Sequence, residues 1–185
     1  MYNYLILLCI YLTPAFSAIS QDSKLDTGFG GIRIDEKLTK LKPYLTKLEV
    51  ADWLPSMQEM EGYVVSGWTF DFNKAGLNEF YSLKIRKIEI YFDSGEEESE
   101  EDDNVFSFQI YLEPAEDGKT EDKFINALFA EYGDAMSLLN MDSEEVVGFF
   151  WFTSITLLNV NLGVDVESGE EYDYYLADFN QGYGG

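Results

Sequence analysis

The chain has 185 residues and a formal net charge of -23, with 35 Asp and Glu against 12 Lys and Arg. A charge of this size repels nucleic acid phosphates and anionic lipid surfaces, so we expect the protein to bind neither. Electrostatic attraction favours a basic protein as its partner. The chain has no His and a single Cys, which argues against Ser-His-Asp and His-based acid-base catalysis and against the usual zinc, copper and haem sites.

Residues 1–20 have the form of a secretory signal peptide. They carry no charged side chain, and the apolar core Tyr4–Leu12 is followed by Pro14 and a run of small residues. This is the arrangement of a hydrophobic region before a cleavage site. An uncleaved membrane anchor is the alternative, because the uncharged stretch approaches the length that spans a bilayer. We expect cleavage, and therefore a secreted or periplasmic protein with no membrane attachment afterwards.

Two cleavage positions satisfy the requirement for small residues. They lie after Ser17 and after Ser20, and we favour the second, which leaves Gln21 as the first residue. The only cysteine, Cys9, lies within the leader. The exported chain is therefore expected to contain no disulfide, even in a compartment that would permit one.

Residues 21–180 are predicted to form a single domain, followed by a Gly-rich tail at residues 181–185. In its first half, Phe29–Ile34 is predicted as a short strand entered by a turn at two glycines. Asp35–Val50 has leucines at helical spacing and is predicted as a helix capped by Asp35. Pro43 must either kink this helix or begin a second short turn. Gly62–Phe72 and Ser82–Asp93 are predicted as strands.

The second half is predicted to contain the more secure helix. This helix follows a predicted strand, Val105–Glu113. It begins at Thr120 and its acidic neighbours, continues with an amphipathic stripe from Phe124 to Phe129, and ends at Gly133. Residues rich in β-branched and aromatic side chains then predict three strands, at 146–156, 157–166 and 172–179.

These elements predict an α+β fold in which two main helices pack on one face of an antiparallel sheet. The two helices begin about 85 residues apart, and strands bearing Trp68 and Trp151 lie at nearly the same offset. This spacing leaves open a repeat of two tandem β-α-β-β units, spanning residues 29–93 and 105–179, or a chance likeness of two strands.

An almost entirely acidic run connects the strands that end at Asp93 and begin at Val105. Like charges at this density favour a solvated loop. If the loop is functional, weak calcium binding or docking of a basic partner are the two alternatives. The candidate partner-binding residues are Glu96, Glu97, Glu98, Glu100, Glu101, Asp102 and Asp103.

The residue types favour an exported, acidic, non-catalytic binding or interaction protein without a cofactor. The competing hypothesis is a carboxylate-dependent, glycosidase-like hydrolase, in which two Asp or Glu side chains divide the acid and base roles. With so many acidic residues, no particular pair is indicated. The dense aromatics at 149–152 and 172–175 are interpreted mainly as sheet core, with at least one of the tyrosines facing solvent.

Overall fold

The computed structural model describes residues 24–49, 65–93, 103–140, 144–164 and 171–182. The predicted leader, most of the acidic run and the end of the Gly-rich tail lie outside the described residues. Within them the strands are β1 (Leu45–Lys47), β2 (Val65–Phe70), β3 (Glu79–Phe80), β4 (Leu83–Asp93), β5 (Asn104–Leu112), β6 (Met136–Leu139), β7 (Val146–Phe152), β8 (Thr156–Asn161) and β9 (Tyr175–Gln181). The α-helices are α1 (Leu38–Leu41) and α2 (Gly118–Tyr132).

The predicted α+β fold with two main helices is wrong. The described chain is mostly a nine-stranded antiparallel sheet with two short helices. Of the helix predicted at 35–50, only the four residues of α1 are helical, and a 3-10 turn then leads into β1. Pro43 explains the stop, because proline has no N–H to donate to the preceding turn. Asp35 does not cap this helix but adopts a left-handed φ of 64°.

Helix α2 forms where the sequence predicts it. Asp117 caps it by accepting a hydrogen bond from the Thr120 N–H at 2.7 Å, and Gly133 ends it with a φ of 82°, the left-handed conformation that glycine adopts readily. The apolar stripe buries Phe124 and Leu128 completely.

The strand predicted at Phe29–Ile34 is reduced to one pair of residues. The predicted turn is present: Phe29 and Ile32 exchange two backbone hydrogen bonds of 2.9 Å, and Gly30 and Gly31 between them have φ values of 60° and 87°. The chain then leaves the pairing, so this segment contributes a tight turn and no strand.

The sheet consists of two four-stranded meanders joined at their last strands. Its order is β1-β2-β4-β5-β9-β8-β7-β6, with β3 paired to β4. Within the described residues, each half contributes one α-helix ahead of its four strands of this order, so β5 and β9 meet at the centre and the strand order is symmetric about them. Trp68 and Trp151 lie on the second strand of their respective meanders. Among the described elements the repeated order is a helix followed by four strands, so the β-α-β-β unit considered from the sequence is wrong.

One face of the sheet, here called the helical face, carries the hydrophobic core. Phe108 stacks on Phe179 across β5 and β9, with ring centroids 4.3 Å apart. Helix α2 covers this face: Phe129 contacts Phe149 and Trp151 on β7. The Trp151 indole N–H also donates to the Gly133 carbonyl at 2.9 Å, which fixes the end of α2 to β7.

A β-bulge in β4 decides which side chains reach this face. The register between β4 and β5 shifts between Ile85 and Lys87, so Ile85 and Ile88 both point into the core and are buried. Strict alternation would have placed Ile85 on the same face as Lys87 and Glu89. Because a bulge inserts one residue into a strand, it reverses the faces of everything that follows.

Candidate functional site on the opposite face of the sheet

The face opposite the helical face carries a row of polar side chains across four adjacent strands. The registers pair Glu89 with Gln109, Gln109 with Asp178, and Asp178 with Asn159. These four residues are called the polar row. Because directly paired residues of antiparallel strands point to the same face, their side chains are neighbours. The row crosses the seam between the two meanders.

Glu89 is fully buried, and its carboxylate has three partners. Lys87 Nζ lies 2.7 Å from Oε1, and the hydroxyls of Tyr91 and Tyr111 donate to Oε2 at 3.0 and 2.9 Å. Burial first, and then the negative charge of Glu89, raise the pKa of Tyr111 far above its usual range. Tyr111 therefore remains a neutral donor to the buried carboxylate.

Asp178, two strands away, has a different environment. Burial raises the pKa of its carboxyl, although hydrogen bonds with Asn180, Gln109 and Ser107 oppose that shift. The Ser107 hydroxyl donates to Oδ1 at 3.4 Å. Since neighbouring strands lie about 4.8 Å apart, the backbones of Asp178 and Glu89 are separated by about 10 Å. The sheet thus holds two carboxyl groups on one face, each among different hydrogen-bond partners.

Toward the β6 edge the same face becomes apolar and exposed. The row continues from Asn159 to Phe150 and Met136, and Phe152 pairs with Leu157 beside them. Exposed fractions reach 55% for Met136 and 61% for Phe152. The members of this surface, here called the apolar strip, are Met136, Leu138, Leu139, Val146, Phe150, Phe152 and Leu157.

Of the candidate partner-binding residues, the structure describes only Asp103. It is buried, and its backbone carbonyl accepts a hydrogen bond from the Leu38 N–H at 3.0 Å, so it anchors α1 beside the start of β5. Glu96 to Asp102 lie outside the described residues. The described part of the chain contains no cluster of three or more acidic residues arranged to hold a metal ion.

Neither the polar row nor the apolar strip is indicated by the sequence pattern. Glu89 lies in an alternation that is typical of a solvent-facing strand edge, and only the flanking tyrosines hint at burial. The core interpretation of the aromatics at 149–152 holds for Trp151, which is buried, but Phe152 points the other way and is exposed. Tyr172 is 41% exposed, as expected for at least one tyrosine of its cluster.

Comparison with known proteins yields no matching family model, curated sequence or solved structure. Among the residues described, neither helix combines the length and the apolar composition needed to cross a bilayer.

Proposed function

We propose that this chain is an exported, non-catalytic binding protein that engages a basic partner. The observation that supports the proposal is the distribution of charge along the fold. After Lys123 the sequence contains eleven Asp and Glu and no Lys or Arg. That segment forms most of α2 and the whole meander β6–β9, so half of the sheet carries negative charge alone.

A surface with one sign of charge attracts the opposite sign. Such a field accelerates encounter with a cationic protein and disfavours acidic partners. The other half of the described sheet contains Lys and Arg beside its acidic residues, for example the pairs of Lys84 with Glu113 and Lys87 with Glu89. Its Arg86 also reaches Asp173 of the acidic half, at 3.3 Å. The meander β6–β9 is therefore the part of the molecule that best fits a basic partner.

Binding to immobilised basic and acidic proteins of similar size tests the proposal. We expect the protein to bind the basic set, with an affinity that falls steeply as salt rises, and to ignore the acidic set. Equal binding to both sets, or binding that salt does not weaken, would contradict it.

A narrower form of the proposal assigns the acidic run as the contact. Here the protein occludes a basic hydrolase of the lysozyme type, a class whose positive surface the run would attract. The test replaces Glu96, Glu97 and Glu98 by Gln and measures inhibition of a lysozyme. Unchanged inhibition would remove the run from the interface without affecting the broader proposal.

A carboxylate-dependent hydrolase is the second candidate, and the pair Asp178 and Glu89 favours it. A carboxyl with a raised pKa, as at Asp178, suits a general acid, and a second carboxyl on the same face is the other group that such a reaction needs. Against it, Glu89 is fully buried and its oxygens already have partners. Turnover of a glycoside that Asp178→Asn abolishes, with the fold intact, would favour the enzyme over the binding protein.

Export is part of the proposal, and it depends on the leader. Expression of the full chain in a secreting host, followed by mass spectrometry of the exported product, tests it. We expect the product to begin at Gln21 or, with the earlier cut, at Ala18. A product that retains residues 1–20 would support the membrane anchor instead.

A further inference from the structure

We infer that the apolar strip is a docking surface for a cationic, amphipathic polypeptide segment. The inference rests on the proposed function and adds to it the place of contact and the chemistry of the partner. The strip lies on the face that α2 does not cover, at the β6 edge of the sheet.

The exposure of the strip is concentrated. The large apolar side chains that are most exposed among the described residues include Met136, Leu139, Val146 and Phe152, at 47% to 61%. All four belong to β6 and β7, two hydrogen-bonded strands, so they form one contiguous surface. Contiguous exposed apolar area of this kind marks interaction sites more often than scattered single residues do.

Acidic side chains border the strip. Asp134 precedes β6, and Glu144 and Glu145 precede β7; all three are exposed. No Lys or Arg occurs in this part of the sequence. A partner that matches the surface therefore presents apolar side chains for the strip and Lys or Arg for its border.

Charge also argues against two other occupants. A second copy of this chain would bring the same acidic borders together, and like charges in contact cost binding energy. An anionic lipid surface would be repelled for the same reason. A cationic polypeptide segment satisfies both the apolar area and the charge.

The experiment measures binding of the full chain to three synthetic peptides of equal length. The first alternates Leu and Lys in an amphipathic pattern, the second keeps the pattern with Glu in place of Lys, and the third keeps the Lys residues with Ser in place of Leu. The variants are Phe152→Ser with Met136→Ser in the strip, and Glu144→Gln with Glu145→Gln at its border. Tyr172→Ser, an exposed aromatic outside the strip, is the matched control.

We expect the Leu/Lys peptide to bind best. The strip variant should weaken it about tenfold or more, since burial of one such side chain contributes about a decade in affinity. The border variant should reduce the salt dependence, and Tyr172→Ser should bind as the original protein does. All these side chains are exposed, so the variants should fold, and circular dichroism checks this.

The outcomes separate this inference from the proposal on which it rests. If the Leu/Lys peptide binds but the strip variant binds equally well, the protein still engages a basic partner and the strip is the wrong surface. If neither Lys-containing peptide binds, both proposals fail. Preferential binding of the Leu/Glu peptide, association with anionic vesicles, or self-association lost in the strip variant would also overturn the inference.

Discussion

Replacement of Glu89 by Ala should destabilise the protein severely. The carboxylate is fully buried and accepts hydrogen bonds from the hydroxyls of Tyr91 and Tyr111. These two residues are 0% and 8% exposed. Loss of this acceptor costs about 1 to 3 kcal/mol for a hydroxyl that finds no other. Tyr111 keeps a weaker alternative, the Gln109 Oε1 at 3.3 Å. Lys87 is 43% exposed at its side chain, so it can turn to water and adds less.

The expected loss is therefore about 3 to 5 kcal/mol of unfolding free energy, the range for breaking a buried charged network. Glu89→Gln keeps the shape and an acceptor oxygen and should cost about half as much. Urea unfolding followed by tryptophan fluorescence measures both, with unchanged m-values as evidence that the same transition is compared.

Glu113 supplies the matched control. It lies beyond the end of β5 and pairs with Lys84 at 3.4 Å, but its side chain is 48% exposed. Glu113→Ala should therefore cost about 0.5 kcal/mol or less, as exposed ion pairs usually do. If Glu89→Ala costs no more than Glu113→Ala, burial of the carboxylate among the tyrosines contributes nothing to stability, and the reasoning is refuted.

Three further changes test other parts of the structure. The pKa of Asp178 is raised in the folded protein, so protonation of this carboxyl stabilises the fold. The free energy of unfolding should therefore fall as pH rises from the pKa of the unfolded state through that of the folded state. Urea unfolding curves at a series of pH values should show a flatter dependence for Asp178→Asn. Burial raises the pKa of Glu36, but the positive charges of Lys40 and Arg33 outweigh it and lower the pKa overall. The ionised carboxylate should therefore stabilise the fold fully above the pKa of the unfolded state, and this stabilisation should disappear as pH falls through the pKa of the folded state. Glu36→Gln should not show that loss. Gly148→Ala would place a Cβ 2.4 Å from the Val160 carbonyl oxygen, which should force β7 away from β8 and lower the melting temperature. Gly118→Ala is the control: open space surrounds that position, so the melting temperature should stay equal or rise.

The sequence predicts the long strands and α2 because their patterns extend over many residues. The alternation around Phe108 and the stripe at Phe124 each repeat often enough to identify the element. The helix prediction at 35–50 is wrong because leucines at helical spacing also fit a helical turn followed by a strand. Pro43 ends the helix early and so favours the second arrangement. The short strands β1, β3 and β6 were missed, since two to four residues carry no measurable period.

The candidate site was harder to predict than the fold. The polar row exists only through pairing of β4, β5, β9 and β8, and its members lie up to 89 positions apart along the sequence, as Glu89 and Asp178 do. A single sequence does not show which residues of different strands are paired. The bulge after Ile85 adds a local shift that strict alternation does not anticipate.

The position of β9 at the centre of the sheet has a consequence for how the chain folds. Among the described strands, β5 and β9 are the only hydrogen-bonded link between the two meanders, and their paired residues lie 63 to 73 positions apart along the chain. Contacts this distant in sequence slow folding, because the chain between them must be ordered first. Until β9 is in place, β5 and β8 each present an unpaired edge at the middle of the future sheet. The vulnerable period for aggregation therefore lasts until the chain beyond Glu171 has been made, and a truncation there should expose both edges at once.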